Sequence, residues 1–236
     1  MSLTERAIER IRQLIKDGTL PPGARLPPEQ ELAAELGLSR NLLREAVRSL
    51  VTTRVLEVRR GDGTYVTSLT PELLLEGVGL AVEMMRGDDL LEITEVRRLF
   101  EPVATGLAAT RITPGQLAEV ERHLNAMIEA RNDVEALNHH DDAFHRAVFE
   151  STGNKSLSAL LGGIAGRTLR SRVWRGLAEE NAAGRTIAEH AAIYRALAHR
   201  DAPLAQAAAL MHVGTTETWL RENLGHSLET TARPPR

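Results

Sequence analysis

Between Asn138 and Asn154 the chain reads NHHDDAFHRAVFESTGN, two aspartates, one glutamate and three histidines within one helix-like run. Carboxylates and imidazoles can ligate a divalent ion or move protons, and the helix face of each side chain decides which are free to do so. Stepping at i, i+3 and i+4 puts Val134, Leu137, Asp141, Phe144, His145 and Val148 on one stripe and leaves His139, His140 and Asp142 off it. Asp141 and His145 are therefore expected to face the core one turn apart. An inward carboxylate costs several kcal/mol unless it is paired. His190 shares a stripe with Ile193, Tyr194 and Leu197, and His212 with Leu204, Ala208, Thr215 and Trp219. One Asp and three His from three helices make an oxygen/nitrogen donor set for a divalent ion. A hydrogen-bonded polar cluster inside the core accounts for the same pattern equally well. The remaining inward charge is Arg97, on a face with Leu90, Ile93, Phe100 and Ala104. Its guanidinium can fork a ligand carboxylate or pair with Glu101 one turn on. His123, His139, His140, His199 and His226 read as surface residues.

These residues must be positioned by a chain of 236 residues, enough for one large domain or two modest ones. With 42% hydrophobic and 26% charged residues the composition is globular. Aromatics are only 3%, so aliphatic side chains must fill the interior, which suits packed helices. The absence of cysteine excludes disulfides and thiolate metal sites. No run of about 18 apolar residues exists and the first residues are charged, so neither a membrane span nor a signal sequence is expected, and a cytoplasmic location is. The net charge of −3 is unevenly spread: residues 1–69 hold 11 Lys+Arg against 9 Asp+Glu, and the remainder 18 against 23.

A mainly α protein is predicted. Ser2 with Glu5 forms a capping box ahead of Ile8, Ile11 and Ile15. Glu29–Leu36 is a second helix closed by Gly37, and Ser39 caps a third with Leu43, Ala46, Val47 and Leu50 inward. VLEVR and TYVTS flank the turn RGDG, giving a β-hairpin. Helix, tight turn and capped helix is the helix-turn-helix layout. Arg40, Arg44 and Arg48 line the outer face of the third helix, where Arg can fork guanine in a major groove while Ser39 and the helix start reach phosphate. The hairpin tip, Arg59, Arg60 and Gly61, can follow the backbone or minor groove. The same arginine row would also suit an ordinary solvated face. From Leu73 to Leu224 the pattern is helical, with breaks at 87–89, 112–115, 152–154, 181–184 and 201–203, hence about six helices. The domains expected are 1–69 for the winged unit, 70–77 for a linker, 78–225 for the helical bundle and 226–236 for a flexible tail.

Residues 20–66, LPPGARLPPEQELAAELGLSRNLLREAVRSLVTTRVLEVRRGDGTYV, resemble the winged helix-turn-helix of the GntR family of bacterial transcription regulators. The resemblance implies DNA contacts from Ser39, Arg40, Asn41, Leu42, Arg44 and Gly61. Pro28 and Gln30 stand where the family has Ser and Arg, Leu42 replaces Thr or Pro, and Arg54 replaces a helix-ending glycine. DDAFHRAVFESTGN, EHAAIYRALAHRDAPLAQAAALMHV and EVRRLFEPVATGLAA are similar to the FCD effector-binding domain of the FadR-type branch. That likeness implies a metal held by Asp141, His145, His190 and His212, with Asn154 in support. Zinc is the first expectation and nickel or manganese the alternatives. It also implies Arg97 facing a small carboxylate effector, a homodimer, and a palindromic double-stranded DNA operator, with repression the more common mode. Two rivals stand beside this reading. One is a regulator that binds an acyl ligand without metal; the other is a metal-dependent enzyme built on the Asp/His cluster, which lacks both an HExxH-type glutamate and a nucleophile motif.

Overall fold

The computed structural model describes residues 2–85, 88–167 and 181–231. The chain divides into two compact units between Gly77 and Val78. In the first, α1 (Leu3–Lys16) opens on the capping box: Ser2 Oγ accepts from Glu5 N at 3.1 Å, and the Glu5 carboxylate accepts from Ser2 N at 2.6 Å. Next come α2 (Glu29–Glu35) and α3 (Arg40–Thr52). Gly37 sits in the turn between them at φ 61°, and Ser39 Oγ caps α3 by accepting from Leu42 N. β1 (Leu56–Arg59) and β2 (Gly63–Val66) pair antiparallel, with Leu56 opposite Val66. Ala7, Ile11, Leu32, Leu43, Ala46, Leu50, Leu56 and Val66 form one core. The helical stripes and the inward residues of the hairpin thus converge on a single interior.

Arg54 closes α3 in an unusual way. Val55 N donates to Leu50 O and Arg54 N to Val51 O, the double bond of a Schellman ending, and Arg54 itself takes φ 59°. A left-handed residue with a Cβ costs about 1–2 kcal/mol, which is why glycine is common at this position. The exposed ion pair from Arg54 Nε to Glu76 Oε2, 2.8 Å, offsets little of that.

The first unit ends with α4 (Pro71–Leu74), and α5 (Glu76–Met84) crosses the boundary. The second unit continues with α6 (Asp88–Arg111), α7 (Pro114–Glu129), α8 (Val134–Glu150), α9 (Lys155–Arg167), α10 (Ala182–Ala198) and α11 (Ala202–Thr231). Gly87 of the first expected break lies outside the described residues. A turn at 130–133, absent from the expected breaks, divides α7 from α8, where Asp133 caps α8 by accepting from Glu135 N and Ala136 N. The last helix, expected to end near Leu224, continues to Thr231. Residues 232–236 and the His226 side chain lie outside the described set. Ala104, Ala108, Ala196, Ala205 and Ala209 are buried where helices meet, alongside Phe144, Phe149, Met127 and Leu197. Small residues let the helix axes approach, which compensates for the shortage of aromatics. No helix among the described residues is long and apolar enough to cross a membrane.

Replacing Arg54 with glycine is expected to stabilise the N-terminal unit by about 1 kcal/mol. Urea unfolding checks this; an unchanged or lowered midpoint would mean that the left-handed turn carries no strain.

Candidate metal centre and nucleic-acid interface

Three helices deliver the polar cluster. Asp141 and His145 project from α8, His190 from α10 and His212 from α11, and all four side chains are buried. One donor atom from each lies within 4.8 Å of all the others. His145 Nε2 stands 3.2 Å from His212 Nε2 and 3.2 Å from His190 Nε2. Asp141 Oδ1 is 3.0 Å from His190 Nε2 and 4.0 Å from His145 Nε2.

The outer nitrogens fix what the inner ones present. His190 Nδ1 meets the Thr186 carbonyl at 2.7 Å, and a carbonyl can only accept, so that nitrogen carries the proton. His212 Nδ1 likewise faces the Glu189 carboxylate at 2.9 Å. In neutral rings both Nε2 atoms then point lone pairs inward, toward His145 and a carboxylate. Burial first, and then the neighbouring His190, push His145 well below the ordinary histidine value, so it too is uncharged near neutrality. Donor atoms facing one another repel unless a proton or a cation lies between them.

The spacing suits a cation. Ligands about 2.1 Å from a common ion lie about 3.0 Å apart at right angles, about 3.4 Å apart in a tetrahedron and about 4.2 Å apart when opposite. Separations of 3.0 to 4.0 Å between the donor atoms are those that one shared divalent ion would bridge.

A cavity of about 260 Å³ reaches this cluster, with Asp141 and His212 in its wall. Asn138, Thr186, Thr216 and Asn181 add amides and hydroxyls, Leu137 and Val134 an apolar side, and Arg131 a guanidinium. Arg97 is buried as expected, but its face differs from the one read in the sequence. Thr94, Glu101, Ala104 and Thr105 are its buried neighbours on α6, while Phe100 is 46% exposed. Its Nε donates to Glu101 Oε1 at 2.5 Å, the pairing that the sequence left open. Burial pushes the Glu101 carboxyl up, and Arg97 together with His145 and His212 outweighs this, leaving it below its usual range. Among the described residues the cavity wall does not include Arg97.

The expectations for His123 and for the face around His212 need correction, and Asn154 proves structural. His123 is 8% exposed, not a surface residue, because α7 packs on α8 along the face that carries Val120, Leu124 and Met127. That i, i+3, i+4, i+7 stripe was present in the sequence. Around His212 the buried neighbours are Ala205, Ala209, Val213, Thr216 and Trp219, whereas Leu204 is 52% exposed. Asn154 Oδ1 accepts from Leu157 N at the start of α9, a capping bond rather than a contact with the cluster.

In the first unit, the outer face of α3 carries Arg40, Arg44 and Arg48 in a row. Arg40 donates to Gln30 Oε1 at 3.1 Å and Arg44 Nε to Glu29 Oε2 at 2.8 Å, both from α2. Gln30, the departure from the family pattern, therefore holds an arginine where the family has one. The hairpin turn contains Gly61 at φ 76°, and the Arg59 guanidinium lies 4.0 Å from the centre of the Tyr65 ring.

Residues 3–66 match the family described as bacterial regulatory proteins, gntR family, and residues 92–215 match the FCD domain. The chain belongs to the GntR family. Its FCD domain places this GntR regulator in the FadR-type branch, a class of metabolite-responsive transcription regulators and not of enzymes. It is 34% identical over 227 residues to the galactonate operon transcriptional repressor of Escherichia coli K12, spanning 94% of this chain and 98% of that one. It is 29% identical to the HTH-type transcriptional regulator LutR of Bacillus subtilis 168, spanning 86% and 94%. Among solved structures a Streptococcus agalactiae GntR protein superposes with a TM-score of 0.67 at 29% identity, covering 91% of this chain and 99% of that one.

Glu189 was not foreseen; only the fold brings it to His212. Glu189→Gln should weaken metal binding by about 10- to 100-fold, measured by chelator competition, with the helical content unchanged. Unaltered affinity would mean that Glu189 does not orient the ring. For the metal-stripped protein the sign of the pH effect follows from His145. Its folded value lies below the unfolded one, so its contribution is complete above about pH 6.5 and is lost as the pH falls. Melting temperature should therefore drop between about pH 7 and 5.5; a flat profile would contradict the burial assigned to this ring.

Proposed function

We propose that this protein is a homodimeric repressor whose winged unit binds a palindromic operator and whose FCD unit binds a divalent metal together with a small organic acid. The observation that carries the sensor half is the convergence of four buried donor atoms on one point beside a polar cavity. Asp141, His145, His190 and His212 would hold the ion, zinc first, with nickel or manganese as alternatives. When bound, the ion supplies Lewis acidity and positive charge for a carboxylate. Arg97, buried and paired with Glu101, is the arginine that the family likeness assigns to the effector. Asn138, Asn181, Thr186 and Thr216 offer hydrogen bonds that suit hydroxyl groups better than an acyl chain.

On the DNA side Ser39 and the α3 N-terminus reach phosphate, Arg40, Asn41, Leu42 and Arg44 face base edges, and Gly61 lets the wing tip approach the backbone. Two copies reading half-sites one turn apart explain a palindromic operator. Exposed Leu99 and Val103, one turn apart on α6, support an apolar contact between copies. Repression, and a sugar acid as effector, are supported by the likeness to a galactonate operon repressor.

The two halves can be tested separately. Arg44→Ala should reduce specific operator affinity by at least about tenfold and leave metal content unchanged. His190→Ala should lower metal content and abolish the response to acids while operator binding persists. Gel shift and metal analysis by mass spectrometry read both. Wild-type operator affinity in the first variant, or an intact acid response in the second, would overturn the corresponding half.

A further inference from the structure

We infer that the effector is a dianion, gripped at one end by the metal centre and at the other by Arg131; this rests on the function proposed above. Arg131 lies in the turn between α7 and α8, on the wall of the cavity that ends at Asp141 and His212. Among the described lining residues it is the one permanent cation. Its guanidinium has no hydrogen bond or ion pair with any described residue, whereas Arg97, Arg122 and Arg146 are each tied to a carboxylate. A free fork on a cavity wall is suited to a carboxylate or phosphate that arrives with the ligand.

Arg131 lies in the turn before α8 and Asp141 about two turns into that helix, a backbone rise of about 10 Å from Val134. A diacid of about four to six carbons is of that order of length once a metal–oxygen bond of about 2 Å and a hydrogen bond of about 3 Å are added. Asn138, Thr186 and Thr216 line the same cavity with amide and hydroxyl groups, a polar wall that suits hydroxylated diacids better than plain ones.

The test uses the full-length, metal-loaded protein and matched acids: malate with 3-hydroxybutyrate, galactarate with galactonate, glucarate with gluconate. Melting shifts and calorimetric titration give affinities, and metal analysis of each variant confirms an intact centre. In at least one pair the diacid should bind at least about tenfold tighter. Arg131→Gln should bring that ratio close to one. Equal affinities within every pair, or a preference that survives Arg131→Gln, would overturn the inference while leaving the proposed function standing. If no acid of either kind gives a shift that chelation abolishes, the proposed function fails and this inference with it.

Discussion

A carboxylate and three imidazoles, drawn from three helices and turned inward, point their basic atoms at one another in the interior of the C-terminal unit. Each has its other side anchored or enclosed. His190 is fixed by the Thr186 carbonyl, His212 by Glu189, and His145 lies between Phe144 and Phe149. Such an arrangement is unfavourable on its own, since desolvated lone pairs gain nothing from proximity. It becomes favourable when a cation occupies the common point. Binding then joins α8, α10 and α11 and adds directly to the stability of the bundle.

The DNA-reading unit follows another logic. Its arginines are exposed, and in the free protein Glu29 and Gln30 of α2 hold two of them by the hydrogen bonds described above. Exposed pairs of this kind contribute little to stability. They do restrict long side chains to a narrow set of rotamers before any duplex arrives, so less conformational entropy is lost on docking. If Arg44 reads DNA as proposed, the Glu29 carboxylate would compete with phosphate and base for it, lowering affinity for every sequence and favouring those in which the guanidinium finds a full replacement.

Much of this was legible in the chain because it is local. Ser2 with Glu5, and Ser39, are capping signals whose partners lie three residues away. The inward placement of Asp141 and His145 followed from a period of 3.6 residues. What failed needed tertiary information. Leu204 and Phe100 were assigned inward because they are apolar, but the faces that α6 and α11 bury are chosen by helix crossing, and alanines and threonines occupy them. His123 was assigned outward because it is polar, although its stripe is as apolar as its neighbour's. Glu189 and Arg131 could not be singled out at all: one is adjacent to a ligand in sequence but serves a different histidine, and the other matters only because a turn sets it on a cavity wall.

The buried Arg97–Glu101 pair makes the charge of the site depend on its occupancy. A pair with both side chains nearly inaccessible rarely improves stability over an apolar substitute, so its presence needs another reason. Arg97, Glu101 and Asp141 together carry one net negative charge, and Glu189 adds a second at the edge. In the function proposed above, an organic acid entering the inner end of the cavity would meet repulsion unless a divalent cation were bound. With the cation the balance would turn neutral or positive, and the acid would gain a partner instead of an opponent. Metal and acid would thereby be coupled with the same sign, and reciprocity requires that the acid tighten the metal in turn. Removing Glu101's charge alone would weaken this dependence, because Arg97 would then attract the acid in the absence of metal. The pair thus serves as a neutral spacer that leaves the decision to the ion.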